Sequence, residues 1–175
     1  GLPDGGILRG KDIPVLELEQ GHSFEVTSHL LKRHDYGAQA AYQDFCENDN
    51  ALEQYPLERM SKLTKALMGN IDYERARVQR LANFHYLQEH LSTAFPISMA
   101  SDDVPLVFPL LVDNGDDLRN RLIQNGIFCA RYWPNVFDYS KSGELESNFT
   151  ANLVNLPVDQ RYGEEEMTGI INLVD

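Results

Sequence analysis

Apolar residues in the first half of the chain recur at three- and four-residue spacing, which is the period of a helix that buries one face. This spacing predicts helices over residues 23–45, 55–68 and 72–91. Asp72 suits the cap of the third helix, because a carboxylate can accept from the unpaired backbone N–H groups of a first turn. Residues 5–18 instead show short alternating runs after a Gly-Gly turn, and these predict extended chain with short strands.

Beyond residue 95 the pattern changes to short apolar runs separated by short amphipathic stretches. Pro105 and Pro109 in the first run favour a strand that lies at a sheet edge or begins irregularly, because proline donates no ladder hydrogen bond. Gly126 stands where a helix is expected to end on a left-handed residue. The pattern predicts strands over 104–112, 127–132 and 153–156 and helices over 114–125, 144–152 and 164–174.

This change of pattern predicts two parts in the chain. Residues 1–94 are mostly helical and residues 95–175 alternate strand and helix, so the predicted fold class is mixed α+β, with an α/β arrangement in the second part. The length of 175 residues and the apolar fraction of 42% are ordinary for a chain that buries its own core.

Composition narrows the classes of function and location. The net charge of −12 argues against a nucleic-acid partner, because phosphate binding needs clustered Lys and Arg. No apolar run reaches the roughly 18–20 residues of a membrane-spanning helix, and no leader sequence is recognisable, so we expect a cytoplasmic protein. Cys46 and Cys129 are expected to be reduced thiols, and neither they nor the five histidines match a metal-binding motif.

The strongest local candidate for ligand binding is Arg131-Tyr132-Trp133, where a predicted strand runs into a loop. An arginine can pair bidentately with a phosphate or a carboxylate, and aromatic rings can stack on a sugar or a base. These three residues are predicted to bind substrate. The alternative is that they form a buried aromatic wedge that closes the second part of the chain, residues 95–175. Arg161 and Tyr162, at a later turn, suit either role.

Schiff-base chemistry needs a lysine with a lowered pKa near a phosphate site. The chain has five: Lys11, Lys32, Lys62, Lys65 and Lys141. None of them follows a predicted strand in a setting typical of a catalytic site. No catalytic residue is therefore predicted within this chain.

Several sequence marks occur together in an order that resembles one enzyme family. They are Gly1-Leu2-Pro3-Asp4-Gly5-Gly6, Arg80 with Asn83, Asn125-Gly126-Ile127, Tyr132-Trp133-Pro134 and Leu156-Pro157-Val158. In this order they resemble the second half of a DegT/DnrJ/EryC1/StrS-type sugar aminotransferase. The chain departs from the family at Arg131, where many members carry a histidine before the tyrosine.

The resemblance implies a fold, an activity and a cofactor. The fold would be the type I fold of pyridoxal 5′-phosphate (PLP) transferases, with residues 1–94 as the end of the large domain and its connecting helices and residues 95–175 as the small C-terminal α/β domain. The activity would be transfer of an amino group from an amino acid, usually glutamate, to a keto group of a nucleotide-linked sugar. Two subunits would share each active site as a homodimer.

In that family the lysine that holds the cofactor lies just before the Pro-Asp-Gly-Gly-like turn, which places it upstream of Gly1. This piece alone is therefore expected to be inactive, to hold no PLP tightly, and to self-associate through exposed apolar surface. The alternative function is a binding or interaction module that keeps the small-domain fold without catalysis.

Overall fold

The computed structural model describes residues 2–52, 54–92, 99–100 and 103–174. The chain divides into two units, Gly1–Ile71 and Asp72–Asp175, and each is described by itself. The predicted boundary between residues 94 and 95 falls within 93–98, which lie outside the described residues, and it stays a prediction.

The first unit contains three helices among its described residues. They are α1 (Ser28–Tyr36), α2 (Tyr42–Leu52) and α3 (Lys62–Met68). The prediction of one continuous helix over 23–45 is wrong, because α1 ends at Gly37. The φ of Gly37 is 87°, in the left-handed region that glycine adopts without the steric cost of a Cβ atom.

The start of α3 at residue 62, rather than at 55, follows from its cap. Ser61 Oγ accepts from the backbone N–H of Thr64 at 3.0 Å, which satisfies one of the unpaired donors of the first turn. Asp4 accepts from the backbone N–H and the hydroxyl of Ser61, both at 2.9 Å, and from the hydroxyl of Thr64. The turn near the start of the chain is thereby bound to the first turn of α3.

Asp4 is expected to make the first unit sensitive to acid. Burial alone would raise the pKa of Asp4, but hydrogen bonds from Thr64 and Ser61 outweigh it and hold the pKa below the ordinary value of 3.8. A carboxyl with a lowered folded pKa contributes stability above its unfolded pKa, and this contribution is lost as the pH falls through the folded pKa.

Asp4→Asn is therefore expected to lower the urea midpoint of unfolding at neutral pH and to lower it progressively less below pH 3.8. The measurement is urea unfolding of both proteins across this pH range. A loss of the same size from neutral to strongly acid pH would contradict the prediction.

The short strands predicted within residues 5–18 are not formed, and this prediction is wrong. Among the described residues of the unit, the one ladder-type pairing is a parallel bridge between Gln20 and Arg59. Since no strand lies beside residues 5–18, their backbone has no ladder partner and their apolar side chains stay open to solvent. Those exposed are Ile7, Leu8, Ile13, Val15 and Leu16.

The second unit combines helices with a pair of strands. Its elements are α4 (Tyr73–His90), β1 (Val107–Leu111), α5 (Gly115–Gln124), a 3₁₀ helix (Pro134–Asp138), α6 (Leu145–Asn152), β2 (Leu153–Pro157) and α7 (Glu164–Val174). The strands are antiparallel, with Val107 opposite Pro157 and Leu111 opposite Leu153. The predictions of α4, β1, α5, α6, β2 and α7 are confirmed, with ends that differ by a few residues.

The core of this unit lies between the β1–β2 pair and helices α4, α5 and α7. Phe84 of α4 packs on Phe108 of β1 with ring centroids 5.1 Å apart. Apolar burial of this kind is the main favourable term in folding. The remaining buried members are Leu87, Leu91, Leu110, Leu118, Leu122, Cys129, Val154, Leu156, Val158, Met167 and Ile170.

The strand predicted over 127–132 is wrong. Gly126 has a φ of 80°, as expected where α5 ends, and the N–H of Ile127 donates back to Leu122 O at 2.9 Å. The following segment is held by a side chain and not by a backbone ladder, since Asn155 Nδ2 donates to Ala130 O at 3.0 Å. The apolar run in the sequence predicted a strand here, but it could not show whether the backbone has a neighbouring strand to pair with.

Two polar residues of α4 bind the chain that follows β2 and the chain that precedes β1. Asn83 is buried, and its Nδ2 donates to the carbonyl oxygens of Val158, Asp159 and Tyr162 at 3.1–3.3 Å. Arg80 donates to Gln160 Oε1 at 3.0 Å and also binds two backbone carbonyls before β1. Arg80 and Asn83, the two residues that match the family pattern, therefore bind these two segments of chain to α4.

Asn83→Leu is expected to destabilise the second unit by about 2 kcal/mol, because it leaves buried carbonyl groups without their donor. Thermal or urea unfolding followed by circular dichroism measures the effect. Gln79→Ala is the matched control: Gln79 only donates to Asn83 Oδ1, at 3.0 Å, so its loss should cost under about 1 kcal/mol. Equal losses in the two variants would contradict the role given to Asn83.

Candidate functional site

Arg131, the charged member of the predicted site, is held in place by two neighbours. Its Nη2 donates to Asp116 Oδ1, and its guanidinium lies 5.7 Å from the centroid of the Phe137 ring. Asp116 lies in the first turn of α5, and Phe137 lies in the 3₁₀ helix. A residue at the start of α5 and a residue near the end of the 3₁₀ helix therefore fix this arginine.

A second arginine, which sequence reasoning missed, shares the same carboxylate. Arg119 Nη1 donates to Asp116 Oδ1 at 2.7 Å, and its Nη2 donates to the carbonyl oxygen of Leu153 at 3.2 Å. Arg119 is only 7% exposed, and burial lowers its pKa. The signal in the sequence was the i, i+3 pair Asp116 and Arg119, a spacing that is also common on exposed helix faces.

Tyr132 and Trp133 lie beside this charged group in the chain. Their ring centroids are 5.8 Å apart and their planes are tilted by 55°. Trp133 is 74% exposed, so the alternative of a buried aromatic wedge is wrong for this residue. Its φ of 52° is unusual for a bulky side chain, and backbone outliers of this kind cluster at ligand sites.

Arg161 and Tyr162 form a separate group in the loop after β2. Arg161 Nη2 pairs with Asp159 Oδ2 at 2.7 Å, and its guanidinium lies 5.6 Å from the Tyr162 ring. Burial would raise the pKa of Asp159, but hydrogen bonds from Arg161 outweigh it and the pKa is lowered. None of the hydrogen bonds and ion pairs found among the described residues joins this group to Arg131. Tyr162 also packs against the core of the second unit, so the packing role fits Tyr162, whereas the Arg161 side chain is 54% exposed.

Cysteine and metal chemistry find little support in the described part of the chain. Burial raises the pKa of Cys129 to about 11, with Arg119 opposing the shift, so the thiol is protonated at neutral pH. Both cysteines are free thiols, as expected. No three His, Cys, Asp or Glu side chains within the described ranges are grouped to hold a metal ion.

An open cleft of about 500 Å³ lies in the first unit. Its walls include the turn near the start of the chain, which Asp4 binds to the first turn of α3 through hydrogen bonds. Gly5 there has a φ of 89°, and a Cβ atom in its place would lie 2.7 Å from Met60 Cγ, so the close approach requires glycine. The other lining residues are Gly6, Ile7, Leu8, His22, Val26, Leu52, Tyr55, Pro56, Leu57, Glu58 and Arg59.

The lysines do not enter either group of candidate residues. Lys32 pairs with Asp44 at 2.5 Å and is partly exposed. The other four are exposed: Lys11, Lys62, Lys65 and Lys141.

Comparison with known proteins identifies a structural relative. No protein-family model matches the sequence, and no curated protein matches it either. The structure matches the X-ray crystal structure of S. venezuelae DesV in complex with a ketimine intermediate, with a TM-score of 0.54 and 17% sequence identity. The match covers 86% of this chain and 43% of DesV, so the chain spans less than half of that protein's length.

The match confirms the predicted fold class. The chain has a mixed α+β fold that corresponds to the C-terminal part of a PLP-dependent transferase fold. At this level of identity the likeness shows the fold alone. None of the described helices is both long and apolar enough to cross a membrane.

Proposed function

We propose that this chain is the C-terminal part of a PLP-dependent aminotransferase. The reaction is transfer of an amino group from an amino acid, glutamate in the proposal, to a keto group of a nucleotide-linked sugar. The Schiff-base lysine lies upstream of Gly1. The protein works as a cytoplasmic homodimer, and residues 1–94 and 95–175 belong to the large and small domains, respectively.

One observation carries this proposal: the fold likeness to DesV over 86% of the chain. A ketimine, the species named with that structure, is the imine of a ketone carbon, which is the kind of compound that forms when nitrogen is transferred to or from a keto group. The order of sequence marks around Gly5, Gly126 and Pro157 supports the same family independently of the fold.

The described residues do not by themselves form a PLP site. When bound, PLP supplies the electron sink for amino transfer, and it needs a lysine that is held away from water beside the cofactor. All five lysines are exposed or partly exposed, and Lys32 is already paired with Asp44. The exposure of these lysines supports a Schiff-base lysine upstream of Gly1.

Substrate contacts are assigned to Arg131, Tyr132 and Trp133. The guanidinium of Arg131 suits a phosphate or carboxylate oxygen. The exposed Trp133 ring and the adjacent Tyr132 ring suit the face of a sugar or a base. Both kinds of group occur in a nucleotide-linked sugar.

The test begins with the polypeptide in its source organism, identified by mass spectrometry of peptides that overlap Gly1. A longer polypeptide with a lysine a few residues before Gly1 is expected. That longer polypeptide, incubated with PLP and reduced with borohydride, should carry the cofactor on the upstream lysine. The present chain, treated in the same way, should show no selective modification of its own lysines. A native start at Gly1 would overturn the proposal.

The second candidate function is a binding module without catalysis. It is favoured by one observation: every buried member of the hydrophobic core cluster found among the described residues comes from Asp72–Asp175. The same mass-spectrometric result distinguishes the aminotransferase from the binding module. A native start at Gly1 would leave no upstream lysine for the cofactor and would favour the binding module.

A further inference from the structure

Two guanidinium groups converge on one oxygen atom in the second unit. Arg119 Nη1 and Arg131 Nη2 both donate to Asp116 Oδ1, although the two arginines come from different parts of the chain, one within α5 and the other beyond its end. Guanidinium groups commonly bind carboxylate and phosphate oxygens in proteins, often through two parallel hydrogen bonds.

The charges at this point do not cancel. Two positive groups face one carboxylate, and no other acidic side chain pairs with either arginine among the ion pairs of the described residues. An ionised Cys129 would raise the pKa of Arg119, but the pKa of Cys129 is itself about 11, so the thiol is neutral at physiological pH. The group therefore carries a surplus positive charge in a protein whose net charge is −12.

The three side chains differ in how firmly they are held. Arg119 is buried and is also fixed by the carbonyl oxygen of Leu153. Arg131 is largely covered and lies against Phe137. The side chain of Asp116 is 60% exposed, so it can rotate into water while both arginines stay in place.

The arginines also have unused donors. The Nε atoms of Arg119 and Arg131 are buried and have no hydrogen-bond partner within the part of the chain that the structure describes. A buried donor without a partner is costly. A ligand with several oxygen atoms would give these guanidinium groups more acceptors than the single Asp116 oxygen does.

We propose that Arg119 and Arg131 form a binding site for an oxyanion, a carboxylate or a phosphate group, and that the Asp116 carboxylate occupies this site until the ligand displaces it. The inference shares Arg131 with the proposed function and rests on it in that respect, but it adds Arg119 as a ligand-binding residue and Asp116 as an internal competitor. It requires no cofactor and no amino transfer.

The experiment uses the single tryptophan of the sequence, Trp133, as a reporter two residues from Arg131. The wild type and Asp116→Asn are titrated with inorganic phosphate and, separately, with glutarate, at constant ionic strength, and Trp133 fluorescence is recorded. Asp116→Asn is expected to bind at least one of the anions about tenfold more tightly than the wild type, because the competing carboxylate is gone. The two titrations distinguish a phosphate from a carboxylate ligand.

Asp117→Asn is the matched control. It removes the same charge from the same helical turn, but Asp117 accepts from Asn114 and pairs with neither arginine. Its affinity for anions should stay close to that of the wild type. Equal gains in Asp116→Asn and Asp117→Asn would reveal a general charge effect and would overturn the proposal, as would the absence of a gain with both anions.

Two further variants complete the design. Adding Arg131→Gln to Asp116→Asn should abolish the gain, and a gain that persists would overturn the site. If Asp116→Asn is unfolded in anion-free buffer, phosphate or glutarate should restore its circular dichroism, because the anion replaces the lost carboxylate; failure of both to do so would overturn the proposal. Since no step uses PLP, failure of the aminotransferase proposal would leave these readouts unchanged.

Discussion

Phe84→Ala is expected to lower the free energy of unfolding of the second unit by about 3–5 kcal/mol. Phe84 is 2% exposed and packs on Phe108. Alanine would therefore remove the contact between the two rings and leave a cavity between α4 and β1. Natural domains are stable by only about 5–15 kcal/mol, so the variant should lose a large part of its margin. Urea unfolding followed by circular dichroism measures the difference.

Val78→Ala provides the matched control on the same helix. Val78 is more than half exposed, so its truncation should change stability by no more than about 0.5 kcal/mol. If Phe84→Ala were as mild as Val78→Ala, the core between α4 and β1 would not be as described.

Gly115→Ala is expected to destabilise the second unit by about 3 kcal/mol, at the upper end for overpacking. A Cβ atom at Gly115 would lie 2.4 Å from Ala151 O and 2.7 Å from Asn152 Cα. Both neighbours are backbone atoms, which cannot rotate aside as a flexible side chain would. The start of α5 must therefore move, and Asp116 moves with it.

The measurement for Gly115→Ala is thermal unfolding together with the emission of Trp133, which reports on the surroundings of Arg131. Gly169→Ala in α7 is the control, because a Cβ atom there meets no other atom within 4 Å. It should leave stability unchanged or raise it by up to about 1 kcal/mol through helix propensity. Two variants of equal stability would show that α5 does not approach the end of α6 so closely.

Periodicity predicted the second unit better than the first. The helices and strands around Phe84, Leu122 and Met167 each bury one face in a shared core, so the apolar spacing in the sequence reports directly on their structure. In the first unit the same spacing continued across Gly37, where the backbone turns. The apolar runs within 5–18 resemble strands in composition, but a strand also needs a neighbour, and periodicity carries no information about neighbours.

The candidate site was predicted only in part for a similar reason. Arg131 and Trp133 could be found from residue type and position at the end of an apolar run. Asp116 and Arg119 could not, because their importance depends on contacts across 15 and 34 residues of chain, to Arg131 and to Leu153. The sequence also does not show that Arg119 is buried, since most arginines on a short helix are exposed.

Pro109 has a consequence for association between molecules. The N–H of Val112 donates to the directly opposite Asn152 O at 3.2 Å, so hydrogen-bonded pairs fall on every second residue and Pro109, opposite Asn155, falls between them. Its ring nitrogen therefore points away from β2, toward the outer edge of β1. An extended chain that approached this edge would find no donor at the centre of the strand, which disfavours the addition of a further strand at β1.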